Sequence, residues 1–267
     1  MTATQAWLAE EYAQVNAPHI RTALAALSLT GDALHQGGAF ADIGCGTGEI
    51  ARTAAERGFE VRAVDASPSM VEATRKLCAG LPVRADVCPA ENLDLPPDHF
   101  TVVHSSWVLH WLTEVEEPLR RMARALRPGG YAVLQWTGAH LRSEGAGMFG
   151  ILREISESST WKDLLAGAQP TVYEYPADEV SAVLEDTGLE ITHYDPELGH
   201  PLSAKGAGPT LADLPDLRRR YKLAGFATQA AALGNRADEF VDEVLRTMIE
   251  AGRTDPRHAR IVARRPA

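Results

Sequence analysis

Apolar residues along this chain follow two alternating patterns. Short, near-continuous apolar runs, such as Ala39-Phe40-Ala41 with Ile43 and Ala132-Val133-Leu134, have the length and content of buried strands. Between them lie stretches with apolar residues at helical spacing. Residues 3–30 read as helical, with Leu8, Tyr12, Val15, Ile20, Leu24 and Leu27 in phase and a break near Pro18. Turns at Gly31 and Gly37-Gly38 follow, and strand then alternates with helix from Phe40 to Thr137. Further on, Pro176 and the acids after it open a helix that Gly188 closes, and Leu189 to Tyr194 reads as a sixth strand. Phe240, Val241, Val244, Leu245, Met248 and Ile249 predict a helix with Asn235 as its cap and Gly252 as its stop. Ala259 to Arg264 reads as the last strand. Such alternation predicts an α/β protein built on a sheet.

The first strand runs into Asp42-Ile43-Gly44-Cys45-Gly46-Thr47-Gly48, and Glu49 opens the next helix. Glycines at alternate positions allow a tight turn and a close backbone approach to a ligand. A dinucleotide fingerprint would carry its third glycine one residue later, with Gly or Ala where Glu49 stands. Asp42 places a carboxylate at the mouth of the loop. That charge repels a pyrophosphate and suits a ligand with an ammonium group.

The D-x-G-x-G-x-G pattern resembles motif I of the class I S-adenosylmethionine-dependent methyltransferases, and S-adenosylmethionine carries both an α-amino group and a sulfonium. Asp65 ends the second strand, 17 residues after Gly48, where an acid can accept hydrogen bonds from ribose hydroxyls. Asp65-Ala66-Ser67 with Met70 is similar to the family's D-x-S-x-x-M stretch, which implies that Met70 packs on adenine. Ala90-Glu91-Asn92-Leu93 resembles the loop that borders adenine, although Pro89 stands where the family usually has Asp. Leu126-Arg127-Pro128-Gly129-Gly130 resembles the turn into the fifth strand; the two glycines are read as positive-φ positions and Pro128 as the end of the preceding helix.

The resemblance covers roughly residues 37–138. It implies a Rossmann-like fold whose seven-stranded, mostly parallel sheet has an antiparallel last strand. The chain then divides into a helical segment at 1–36, a cofactor-binding core at 37–138, and the remaining sheet at 139–267. Insertions at 139–175 and 201–257 join the N-terminal helices as a lid.

A chain of 267 residues with 45% hydrophobic content suffices for such a domain. The net charge of −10 disfavours a surface devoted to nucleic acid. Three cysteines form no paired framework, and no leader-like or membrane-spanning apolar run is apparent, so a cytoplasmic protein is expected, monomeric or homodimeric.

Candidate chemistry lies in His104-Ser105-Ser106-Trp107-Val108-Leu109-His110-Trp111, after the fourth strand. In the family this place lies beside the methyl donor and faces the acceptor. The stretch lacks the proline motif of many nucleic-acid and protein methyltransferases and looks like small-molecule members, among them trans-aconitate and malonyl-carrier-protein methyltransferases. His110 is the candidate general base, with a helix cap or pocket lining as the plainer role. His140 is a second candidate, whereas His104 falls inside the strand and reads as structural. Trp107 and Trp111 either wall an acceptor pocket or pack in the core. The resemblance gives Tyr12 a role closing over the methionine carboxylate, and places Asp42, Gly44, Gly46, Gly48, Asp65, Ala66, Met70, Ala90, Glu91 and Ser106 at the cofactor. Neither His spacing nor Cys content predicts a metal site. O-methylation of a metabolite is favoured. The alternatives are a non-methylating reaction on the same cofactor pocket and a nicotinamide-dependent oxidoreductase.

Overall fold

The computed structural model describes Ala9 and residues 16–137, 147–199, 209–223, 225–254 and 257–267. Strands β1 (Gly38–Ile43), β2 (Phe59–Asp65), β3 (Val83–Val87), β4 (Phe100–Ser106), β5 (Leu126–Thr137), β6 (Glu190–Leu198) and β7 (His258–Arg264) form one sheet. Their order is β3-β2-β1-β4-β5-β7-β6, with β7 antiparallel to both neighbours and the pairs from β3 to β5 all parallel. The chain reverses its direction of growth between β1 and β4, which in open α/β sheets creates a crevice at the strands' carboxyl ends.

Helices cover both faces. Helices α1 (Ala17–Ser28), α2 (Glu49–Glu56) and α3 (Pro68–Leu77) lie on one side, where Ala26, Leu27, Ala51, Ala54 and Val71 pack against Phe40, Val102 and Val133. Helices α4 (Glu116–Ala125) and α6 (Ala177–Asp186) lie on the other, where Leu119, Met122 and Val180 meet Ala41, Val103 and Leu134. Successive strand residues therefore enter opposite cores, and the central strands read as apolar runs because both faces are covered. Between α4 and α6 the chain forms α5 (Gly147–Ser156). Helices α7 (Leu214–Leu223), α8 (Ala227–Leu233) and α9 (Ala237–Glu250) come between β6 and β7 in the chain. With α5 they enclose a separate core around Trp161, Phe226 and Phe240.

Asn16 is not helical and Pro18 lies in the first turn of α1, where its missing N–H is no loss, in keeping with the break read near it. Local details depart from the sequence reading at three places. Helix α4 ends at Ala125, and Pro128 with both glycines lies within β5, beside an irregularity in its pairing with β4. Only Gly129 has a positive φ; Gly130 is there for space, since a Cβ would stand 2.7 Å from the Phe100 carbonyl oxygen. Asn235 belongs to a 3-10 turn, and the cap position of α9 falls to Arg236, with Asp238 and Glu239 supplying the favourable charge of the first turn.

Candidate functional site

The sheet's alternation builds the site. Asp42 lies on the same face of β1 as Phe40, which packs in the α1–α3 core. By the same two-residue period, His104 and Ser106 follow Val102 on β4, and Gln135 follows Val133 on β5. A polar row thus interrupts an otherwise apolar face where β1, β4 and β5 end. Asp42 stands opposite His104 in register, and Ser106 opposite Gln135.

These groups are bonded to one another. Nδ1 of His104 is 2.8 Å from Oδ1 of Asp42, and its Nε2 is 2.7 Å from Oγ of Ser106. Both Asp42 and His104 are almost wholly buried, at 2% and 3% exposure. The second carboxylate oxygen of Asp42, Oδ2, is buried and has no hydrogen-bond partner. A buried carboxylate oxygen without a donor is costly. Its position explains the cost, because Asp42 lines a cavity with Gly44, Gly46, Thr47, Glu49, His104, Ser106 and Trp107.

The cavity's opposite wall comes from Asn16, His19, Ile20 and Ala23, at the start of α1. Asn16 donates to Thr47 Oγ1 at 3.0 Å and to Glu49 Oε1 at 3.1 Å, which ties α1 to the glycine loop. No Lys or Arg is among the described residues lining this cavity. Burial, with help from Arg220 and then His258, lowers the pKa of His19 to about 4, so its ring is neutral near pH 7.

Trp107 has a φ of 64°, an uncommon conformation for a bulky residue. Its N–H donates to the Gln135 carbonyl at 2.7 Å, which fixes the turn out of β4. The turn places its indole between the rings of His19 and His258, at 4.6 and 5.1 Å between centroids. In the facing loop, Gly44 has a φ of 72°, and a Cβ there would overlap the Val108 side chain. Gly48 caps α2 in a left-handed conformation.

Asp65 lies beside the loop but outside the cavity lining. One carboxylate oxygen accepts from Gly46 N–H at 3.0 Å and the other from Ser67 N–H at 2.8 Å. Burial raises its pKa, against the lowering effect of those bonds. Ala66 is half-buried, Met70 is buried on α3, Ala90 is buried and Glu91 is exposed, and none of the four is in the cavity lining.

His110 takes a different place from the one its neighbours suggest. It is fully enclosed, its Nδ1 accepts from Thr137 N–H at 3.4 Å, and it does not line the cavity. Burial, reinforced by His19, lowers its pKa to about 3, far from that of a base working near neutrality. Trp111 donates its indole N–H to the Trp107 carbonyl at 3.0 Å and also stays out of the lining. Tyr12 and His140 lie outside the described residues.

His104 is buried within β4, as its reading as a strand residue expects, but it also lines the cavity, and the α1 wall of Asn16 and His19 was not foreseen. A signal for His104 was present: a histidine two residues from a serine, in a strand otherwise buried, needs polar partners. Its partner Asp42 comes from another strand, as does Gln135, which lies 3.4 Å from Ser106. Among the described residues no group of His, Cys, Asp and Glu has the arrangement of a metal site.

Residues 41–134 match the family described as a methyltransferase domain. Over 90 residues the chain is 37% identical to a malonyl-[acyl-carrier protein] O-methyltransferase of Enterobacter lignolyticus, covering 33% of this chain and 35% of that one. It is 29% identical over 172 residues to a trans-aconitate 2-methyltransferase of Mycolicibacterium gilvum, covering 61% of this chain and 62% of the relative. The chain thus spans less than two thirds of the length of these curated relatives. A solved structure of phosphoethanolamine N-methyltransferase 2 from Haemonchus contortus, in complex with S-adenosyl-L-methionine, superposes with a TM-score of 0.60. That match has 22% identity and covers 92% of this chain and 53% of the other, a likeness of fold.

Proposed function

Through the domain at residues 41–134 the chain belongs to the class I S-adenosylmethionine-dependent methyltransferases, and from that membership we propose that it methylates an oxygen of a small molecule. S-adenosylmethionine is the cofactor. The observation that carries this reading is the unpartnered Oδ2 of Asp42, buried at a cavity with no described cation in its lining. That setting suits a ligand with an ammonium group and opposes a pyrophosphate, which also disfavours nicotinamide chemistry. Asp42 then holds the α-amino group, and Asp65 at the tip of β2 takes the ribose hydroxyls. Met70, Ala66, Ala90 and Glu91 border the adenine, and Gly44, Gly46 and Gly48 keep the loop's backbone free to approach.

Bound cofactor supplies a methyl group already activated by its sulfonium, so the protein's share is alignment and the exclusion of water. Helix α1, held to the loop by Asn16, closes one side of the cavity. Trp107 supplies an apolar wall where an acceptor meets the donor. The division into an N-terminal lid at 1–36, a core at 37–138 and lid insertions at 139–175 and 201–257 belongs to the same reading: these segments select the acceptor. Malonyl and trans-aconitate relatives methylate organic acids by their names, which supports an oxygen acceptor on a metabolite. His110, enclosed and neutral, serves this site as packing.

Calorimetry with S-adenosylmethionine and S-adenosylhomocysteine tests the cofactor site. Asp42→Asn is expected to weaken both about tenfold or more, since a hydrogen bond to a charged group contributes about 1.5–3 kcal/mol. Unchanged affinity in Asp42→Asn would refute the assigned ammonium contact. Incubation with methyl-labelled donor and a protein-free metabolite extract then tests the acceptor. Label in an ester is released by mild base and label in an ether is not, whereas label confined to nitrogen or sulfur would reject oxygen.

A further inference from the structure

Asp42, His104 and Ser106 are joined in the order carboxylate, imidazole, hydroxyl, and this fixes where the protons lie. An ionised carboxylate only accepts, so Nδ1 of His104 carries a hydrogen toward Asp42 and Nε2 presents its lone pair. Ser106 has a single hydrogen and donates it to that lone pair at 2.7 Å. Oε1 of Gln135 lies 3.4 Å from Ser106 Oγ, and its Nε2 lies 3.5 Å from Nε2 of His258. With the hydroxyl's hydrogen committed to His104, exchanging the amide's oxygen and nitrogen turns its NH2 to Ser106 and its oxygen to His258. Of the three linked groups Asp42 and His104 are buried, while Ser106 is half-exposed and lines the cavity beside Trp107.

We propose that Ser106, His104 and Asp42 form a proton relay for the methyl acceptor, and that the acceptor group is therefore a hydroxyl rather than a carboxylate. The inference rests on the cavity being the methyl-transfer site proposed above. A carboxylate at neutral pH needs no base, whereas a hydroxyl must lose its proton as the methyl arrives. With a hydroxyl acceptor the proton leaves the acceptor oxygen for Ser106 Oγ as Ser106 gives its own hydrogen to Nε2 of His104. The acceptor oxygen uses the freed electron pair to form the new C–O bond, and the pair of the broken methyl–sulfur bond stays on sulfur. His104 ends as an imidazolium beside the Asp42 carboxylate, and later releases the proton to solvent. Ser106 is the group placed to touch the acceptor; His104 and Asp42 act through it.

The same connectivity serves nucleophilic serine enzymes, but the surroundings differ here. Acyl transfer needs backbone N–H groups free to hold an oxyanion. The N–H groups of Gly44 and Cys45 are bonded to the Val64 carbonyl, that of Gly46 to Asp65, that of Gly48 to Cys45 and that of Trp107 to Gln135. These five N–H groups are engaged within the fold, and the serine is read as passing a proton.

Sinefungin, a cofactor analogue with an amine in place of the methylated sulfonium, probes the relay without any acceptor. Its affinity relative to S-adenosylhomocysteine, by calorimetry, cancels effects common to both ligands. Wild type is expected to favour sinefungin by about tenfold or more, because the amine donates to Ser106. Ser106→Ala should lose the preference. His104→Gln, which keeps an acceptor for the Ser106 hydrogen, should retain part of it, whereas His104→Leu, which leaves that hydrogen without its acceptor, should lose it. A wild type without preference, a Ser106→Ala protein that keeps it, or a His104→Leu protein that binds like wild type overturns the relay. Failure of wild type to bind either ligand would instead reject the cofactor site, and the relay with it.

Discussion

Acid stability gives a quantitative check on the assignment of His110. Its ring is enclosed, with a folded pKa lowered to about 3 chiefly by burial. The unfolded value is near 6.5. Between about pH 3 and 6.5 the unfolded chain binds a proton that the folded chain refuses. Stability therefore rises with pH through this window and is lost as pH falls below 6.5. The slope is about 1.4 kcal/mol per pH unit for one such histidine. From pH 7.5 to pH 5 the loss from His110 is about 2 kcal/mol. Urea unfolding of wild type and His110→Gln at both pH values isolates it. Glutamine retains an acceptor for the Thr137 N–H, and differences common to both pH values cancel. The variant should lose about 2 kcal/mol less than wild type over this interval. Equal losses would refute the neutral, enclosed histidine and return His110 to candidacy as a base.

Two further outcomes follow from packing. Gly44→Ala forces a Cβ into Val108 at a positive φ; backbone strain alone costs about 1–3 kcal/mol, and thermal unfolding should show a lowered midpoint that Val108→Ala partly restores. A Gly44→Ala protein as stable as wild type would contradict the loop geometry. In the separate core of α5 and α7–α9, Trp161 is fully buried, bonds Glu243 at 2.7 Å and lies under Arg236 at 4.4 Å. Trp161→Ala should cost about 3–5 kcal/mol and expose α5 and α7–α9 to proteolysis before the sheet; uniform cleavage throughout the chain would argue against a separate core.

What the sequence by itself determined is the part encoded locally. The glycine loop, the acid ending β2 and the apolar runs are contiguous, because a strand–turn–helix unit is specified by adjacent residues. The mostly parallel sheet and its antiparallel last strand followed from the family resemblance and agree with the observed topology, while the strand order came only from the pairing. Asp42 also stood out locally, as the acid in an apolar run buried on both faces. His104 did not, because its meaning depends on register. Only the pairing of β1 with β4 puts Asp42 opposite His104, and only the β4–β5 pairing brings Gln135 to Ser106. The start of α1 is likewise silent until its packing sets Asn16 and His19 against the loop. His110 shows the converse: its sequence neighbours suggested chemistry, whereas in the fold it is enclosed and burial lowers its pKa. A side chain's pKa and partners are set by what surrounds it in space, and here those surroundings come from strands and helices far apart in the chain.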